Sequence, residues 1–176
     1  CRKLGIKKIV VSISPRDVAI VEDISKRLDT VEIEIVVDHE QKGPIHALYS
    51  LRDKFLNRSC IFFLGDIYLE EDDFPFNLKT WDSNHLILST TAEHGRERMA
   101  AGCNIVNKSS KVIQIREKPS KNDIKGTLAW TGVAYLPASF FGCLKEGEDG
   151  KYSCVHLGEL FQSMLERGVI EASHSL

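Results

Sequence analysis

The chain has 176 residues, 23 basic against 25 acidic side chains and a formal net charge of -2; 43% of it is apolar and 27% charged. That balance is ordinary for a folded globular protein and excludes a disordered, collagen-like or disulfide-built chain. It also argues against nucleic-acid-coating and anionic-membrane proteins, which need a basic excess, and no apolar run approaches the roughly 18 residues of a membrane span.

At this length a single domain over 1–176 is expected. Residues 7–13 carry the run IVVSI between Gly5 and Pro15, which predicts a buried strand. Ser14-Pro15 supplies an N-cap and a first helical proline, and Val18, Val21, Ile24 and Leu28 then recur on one helix face. A second strand follows at 32–37, and Gly43-Pro44 opens a helix whose apolar face runs through Ile45, Leu48, Leu51, Phe55 and Leu56. Residues 60–64 (CIFFL) form a third strand, apolar on both faces. Strand, helix, strand, helix, strand in this order predicts βαβ crossovers and a parallel sheet covered on both faces.

The second half changes character. A strand is expected at 85–91, then short strands at 103–106, 111–116 and 130–136, the middle two joined by a polar turn at 107–110. Residues 137–144 and 155–167 read as helices, the second ending at Gly168, with a last strand beginning at Val169. Phe140, Phe141, Leu144 and Phe161 are expected in the core.

The five cysteines (1, 60, 103, 143 and 154) are odd in number and lack the close spacing of a zinc site. Free thiols, with Cys60 and Cys103 buried, suit a cytoplasmic location.

Few residues invite chemistry. Leu64-Gly65-Asp66 follows directly on an apolar strand, where ligands of open α/β sheets bind. There an aspartate either holds Mg²⁺ together with substrate phosphates or caps the next turn. Gly43 precedes a helix whose backbone N–H groups can face a nucleotide, or it is a plain loop glycine; His46 in the first turn reads as exposed or capping. Glu117-Lys118-Pro119 closes a strand. A turn forced by the proline can aim carboxylate and ammonium at one site, suited to sugar hydroxyls and phosphate; otherwise both are solvated. Thr131-Gly132 marks a bulge or a close backbone approach. The acidic run 70–73 reads as a solvated loop, with calcium binding as the alternative, and the polar segment with His94, Arg96 and Arg98 reads as surface, with a phosphate-contacting loop as the alternative.

In this order the segments LGIKKIVVSIS, KGPIHALYSLRDKF, CIFFLGD, VIQIREKP and WTGVAYL resemble the sugar-1-phosphate nucleotidyltransferases over roughly residues 3–170. The resemblance implies an α/β, Rossmann-like three-layer sandwich with a mostly parallel mixed sheet. It further implies Mg²⁺-dependent joining of an NTP to a sugar 1-phosphate with release of pyrophosphate, with no nucleic-acid or membrane partner and with a homo-oligomer allowed. By position, Asp66 matches the metal-binding aspartate, a nucleotide-binding and catalytic position, and Gly43 the glycine against the nucleotide. Glu117 matches the carboxylate on sugar hydroxyls, Lys118 the catalytic lysine at the sugar phosphate, Gly132 the glycine beside the sugar, and Gly102 a glycine in the strand before the E-K-P hairpin.

Two parts of that family's pattern, a glycine-rich G-G-x-G-T-R loop and a second metal aspartate, have no counterpart in the sequence. The expectation is therefore of a domain incomplete at both ends, inactive by itself, within a longer polypeptide. A non-catalytic sugar-nucleotide-binding module of the same fold is the alternative. A receiver-like signalling module shares the opening pattern but keeps alternating strands with helices, which residues 100–136 do not.

Overall fold

The computed structural model describes residues 5–28, 30–67, 85–92, 96–109, 111–144 and 156–175. The chain divides into two compact units, Cys1–Ala47 and Leu48–Leu176. In the first, β1 (Lys8–Ile13) and β2 (Glu32–Val37) form a two-stranded parallel sheet with Lys8 opposite Glu32. The Lys8 ammonium lies 2.8 Å from both Glu32 and Glu34, one pair across the strands and one diagonal. Ser14 caps a 3-10 turn (Pro15–Asp17) by accepting the Arg16 N–H at 3.4 Å, and α1 (Val18–Arg27) continues from it. The proline pre-sets the φ that this first turn needs.

The second unit holds a six-stranded mixed sheet of order β3-β7-β4-β8-β6-β5, with a further β7–β5 pairing. Its strands are β3 (Cys60–Phe63), β4 (Leu86–Thr91), β5 (Cys103–Lys108), β6 (Lys111–Glu117), β7 (Leu128–Leu136) and β8 (Ala172–Ser175). Only β4 and β8 run parallel within it; the other pairs are antiparallel. Two helices, α5 (Ala138–Cys143) and α6 (Leu157–Glu166), supply the aromatic core, in which Phe140 meets Phe141 and Phe161 edge to face at 5.4 and 5.9 Å. These rings are buried, as are Leu86, Leu88 and Ile105, while Val133 and Tyr135 form a separate buried cluster against which Ile61, Ile67 and Ile87 pack. The α6 helix is fixed on β6 by Gln162, whose Oε1 accepts the Ile115 N–H at 2.6 Å. It ends at Gly168, φ +65°, where Val169 N–H reaches the Met164 carbonyl at 3.1 Å, the αL termination that glycine favours.

The α/β class and the mixed sheet agree with the sequence expectation, but the expected mostly parallel order does not hold: within the six-stranded sheet every pair except β4–β8 is antiparallel. The first two strands are parallel, but β3 joins β7 antiparallel, because an apolar run reports burial and not the partner that buries it. Nor is β3 wholly enclosed: Phe63 is 42% exposed. The expected second helix breaks at Leu51 into α2 (Pro44–Ser50) and α3 (Arg52–Phe55). On α1, Ile24 and Leu28 are exposed with Ile20, so the expected apolar face is not a buried one. A short helix, α4 (Arg96–Ala101), stands where a polar loop was expected, and β8 begins three residues after Val169. The acidic run 70–73, Cys1 and Cys154 lie outside the described residues.

Candidate functional site

The strand β6 ends where Lys118 turns into the left-handed region, φ +44°, just before Pro119. A lysine held there is strained, and its backbone N–H is tied to the Gly102 carbonyl at 2.9 Å. Gly102 itself precedes β5 instead of lying in it; its N–H donates to the Met99 carbonyl at 3.3 Å. Behind this turn the buried Asn104 amide donates to the carbonyls of Met99 (2.5 Å) and Gly102 (3.3 Å).

The turn brings both charged side chains to the first residues of α6. Glu117 lies across the β5–β6 ladder from Cys103, and its carboxylate accepts the backbone N–H of Gly158. Gly158 is buried so tightly that a Cβ there would collide with Glu117 Oε2 and sit 2.9 Å from Cys103 Sγ. Lys118 Nζ lies 3.4 Å from His156 Nε2. Glu159 Oε2 in turn accepts the His156 backbone N–H at 3.2 Å, closing the first turn of the helix. Burial pushes the Glu117 carboxyl above the usual range, and the Glu159 charge adds to this; His156, Lys118 and the Gly158 N–H act against it. Burial, aided by Glu117, also pushes the Cys103 thiol up, so this sulfur is an inert wall.

Asp66 follows β3 in an exposed turn. Gly132, φ +89°, lies directly against that turn: a Cβ on it would stand 2.8 Å from Ile67 Cδ1 and 3.2 Å from Leu64 Cδ1. The Leu64 N–H donates to the Gly132 carbonyl at 3.0 Å, which anchors the Asp66 turn to β7. At Thr131-Gly132 the β4–β7 register shifts, the bulge expected from a glycine inside an apolar strand.

The two groups share β7. Ala129 pairs with Asn104 next to Cys103, and Gly132 carries the Asp66 turn three residues further on, about 10 Å along an extended strand. Between them Trp130 stacks edge to face on Phe161 of α6 at 5.6 Å. Thus β7 connects two separate groups of the second unit, Asp66 with Gly132 and Gly102 with Glu117 and Lys118. Gly43 belongs to the first unit. It precedes α2 with φ +97° and open space where a Cβ would be, and its carbonyl accepts the Ala47 N–H at 3.2 Å. His46, one turn into α2, is 17% exposed at its side chain, with Nδ1 3.5 Å from Asp38 and Nε2 3.3 Å from Glu40. Burial would raise the Asp38 carboxyl, but the backbone N–H groups of Gln41 and Glu40 and the neighbouring His46 outweigh it and hold it low.

Sequence reasoning missed His156, Gly158 and Glu159. The available signal was Glu159 three residues after His156, the acidic third position of a capped helix. Among the described residues no group of three His, Cys, Asp or Glu side chains is arranged to hold a metal. A single exposed carboxylate such as Asp66 fits Mg²⁺, which takes one or two protein carboxylates and completes its shell with water and substrate phosphates.

A model of the family described as nucleotidyl transferase matches residues 1–174. No curated protein sequence matches the chain. Among solved structures, a Bacillus anthracis protein assigned as a glucose-1-phosphate thymidylyltransferase is 18% identical with a TM-score of 0.76, over 99% of this chain and 71% of the other. The inositol-1-phosphate CTP transferase of T. maritima is 15% identical with a TM-score of 0.76, over 99% and 68%. A UDP-glucose pyrophosphorylase bound to UDP-glucose is 15% identical with a TM-score of 0.71, over 98% and 74%. At these identities the three share the fold.

Proposed function

Because the chain belongs to the nucleotidyl transferase family, we propose that it transfers a nucleotidyl group from an NTP to a sugar 1-phosphate, giving an NDP-sugar and pyrophosphate. The observation that carries the sugar-phosphate half is the convergence of Glu117 and Lys118 on the start of α6. A carboxylate accepts from vicinal hydroxyls, and the ammonium of the next residue neutralises the phosphate. In the reaction a phosphate oxygen of the sugar attacks the α-phosphorus of the NTP, and the bond to pyrophosphate breaks. Such a step needs chiefly alignment and charge neutralisation. Lys118 holds the attacking phosphate and Glu117 orients the ring. Gly102 and Gly132 keep the backbone close beneath the sugar; Gly43, taken by itself in the first unit, is the position proposed to lie against the nucleotide. Mg²⁺, held by Asp66 and substrate oxygens, would offset charge on the NTP phosphates.

The test is incubation of the protein with Mg²⁺, each of the four common NTPs and a panel of hexose 1-phosphates, with release of pyrophosphate and formation of NDP-sugar measured. Turnover that is lost in Asp66→Asn and in Lys118→Ala supports the assignment. Absence of pyrophosphate from every pair together with absence of calorimetric binding of NTP and sugar 1-phosphate overturns it; binding without turnover favours the non-catalytic sugar-nucleotide-binding module.

A further inference from the structure

We infer that His156 is a positioning residue for the sugar phosphate: its Nε2 accepts a hydrogen bond from Lys118 and so fixes where the ammonium sits. This rests on the sugar-phosphate reading of the Glu117–Lys118 site. An ammonium only donates, so at 3.4 Å from Lys118 Nζ the imidazole must present a bare Nε2 and carry its proton on Nδ1; its single acceptor nitrogen then serves Lys118 and cannot also accept the Glu159 backbone N–H of a capping box. Lys118 is then held at both ends, by Gly102 at its backbone N–H and by His156 at its tip. A lysine side chain is otherwise freely rotating, and a tethered one loses less freedom when phosphate arrives. One ammonium hydrogen goes to His156 and two remain for phosphate oxygens.

The main chain that carries His156 is fixed, because its backbone N–H donates to Glu159 Oε2 at the head of α6. Among the described residues, the charged groups about it include Glu117 and Lys118 from the end of β6 and Glu159 from its own helix. The first turn of α6 therefore holds Glu117 through Gly158 and Lys118 through His156, and sets the spacing of the hydroxyl-binding and phosphate-binding groups.

The experiment compares His156→Ser, His156→Gln and wild type by calorimetric titration with glucose 1-phosphate and, separately, with an NTP and Mg²⁺. Serine is a good N-cap but cannot reach Lys118, whereas the glutamine amide oxygen can accept in place of Nε2. Expected are a rise of about tenfold in the sugar-phosphate Kd for His156→Ser, recovery to within about threefold for His156→Gln, and unchanged NTP affinity. A His156→Ser protein that binds glucose 1-phosphate like wild type reduces His156 to a helix cap and overturns the inference. A ligand-free readout keeps this separate from the function proposed above: long-range ¹H–¹⁵N spectra of the imidazole should show the Nδ1–H tautomer, shifted in Lys118→Met. If wild type binds no sugar phosphate, the proposed function fails. An Nε2–H tautomer refutes the His156–Lys118 contact on its own.

Discussion

Replacing Gly158 by alanine should destabilise the protein, although glycine is the poorer helix former. On an exposed helix interior the change stabilises by up to about 1 kcal/mol. Gly158 is buried, however, and its new Cβ would overlap Glu117 Oε2 and approach Cys103 Sγ to 2.9 Å. Neither neighbour moves freely. Cys103 is 7% exposed, and the Glu117 carboxylate is held by the Gly158 N–H itself. Overpacking of this kind costs about 1–3 kcal/mol, so the net loss after the propensity gain should be up to about 2 kcal/mol, or up to about 8 °C in melting temperature for a chain of this size. Thermal unfolding followed by circular dichroism measures it. In a Glu117→Ala background the penalty should shrink, leaving the part owed to Cys103, since the two sites are in contact and not additive. A Gly158→Ala protein that melts higher than wild type, as helix propensity alone demands, would refute the packing argument and with it the view that Gly158 seats Glu117.

Other outcomes follow from the same geometry. Glu117 is raised in the folded state, so its favourable contribution is full below the unfolded carboxylate range and is lost as pH rises through its folded value. Glu117→Gln should therefore melt higher than wild type at neutral pH, with the difference closing on acidification; a constant difference across that range contradicts the burial argument. Gly132→Ala, which combines positive φ with contacts of 2.8 Å to Ile67, should cost about 1–3 kcal/mol in chemical denaturation and displace the Asp66 turn. Retention of both stability and Mg²⁺-dependent turnover would show that the turn does not rest on Gly132. Burial pushes the Cys60 thiol up to about 12 and the Cys103 thiol higher still, so mass spectrometry after a thiol reagent at pH 8 should find both unmodified in the native state and modified in denaturant.

How far the sequence carries depends on whether local chemistry or a distant partner decides the feature. The strand 32–37 is legible because EIEIVV can do little else, and the helix end at Gly168 because only an αL residue closes it this way. The partner of β3 is not legible, since the four residues CIFF state that they are to be covered and not by what. The helix over Arg96–Ala101 was hidden by three consecutive charged residues in fewer than two turns, too short for an apolar period to show. Within the site, Pro119 hints at a turn and Gly132 at a close approach, and both hints hold in the backbone angles of Lys118 and Gly132. His156 left only the spacing to Glu159 as a trace, which marks a helix start and no more. A lone histidine ahead of an apolar helix means nothing until the helix is seen to begin beside Lys118, 38 residues away in sequence.

The most direct test of the account is the division of labour it assigns to Glu117. Calorimetric titration of wild type and Glu117→Ala with glucose 1-phosphate, and separately with an NTP and Mg²⁺, should show sugar-phosphate affinity falling by tenfold or more, as expected when a charge-assisted hydrogen bond of about 1.5–3 kcal/mol is removed, while NTP affinity is unchanged. Equal loss of both ligands, or no loss of either, would contradict the placement of the sugar phosphate between Glu117 and Lys118.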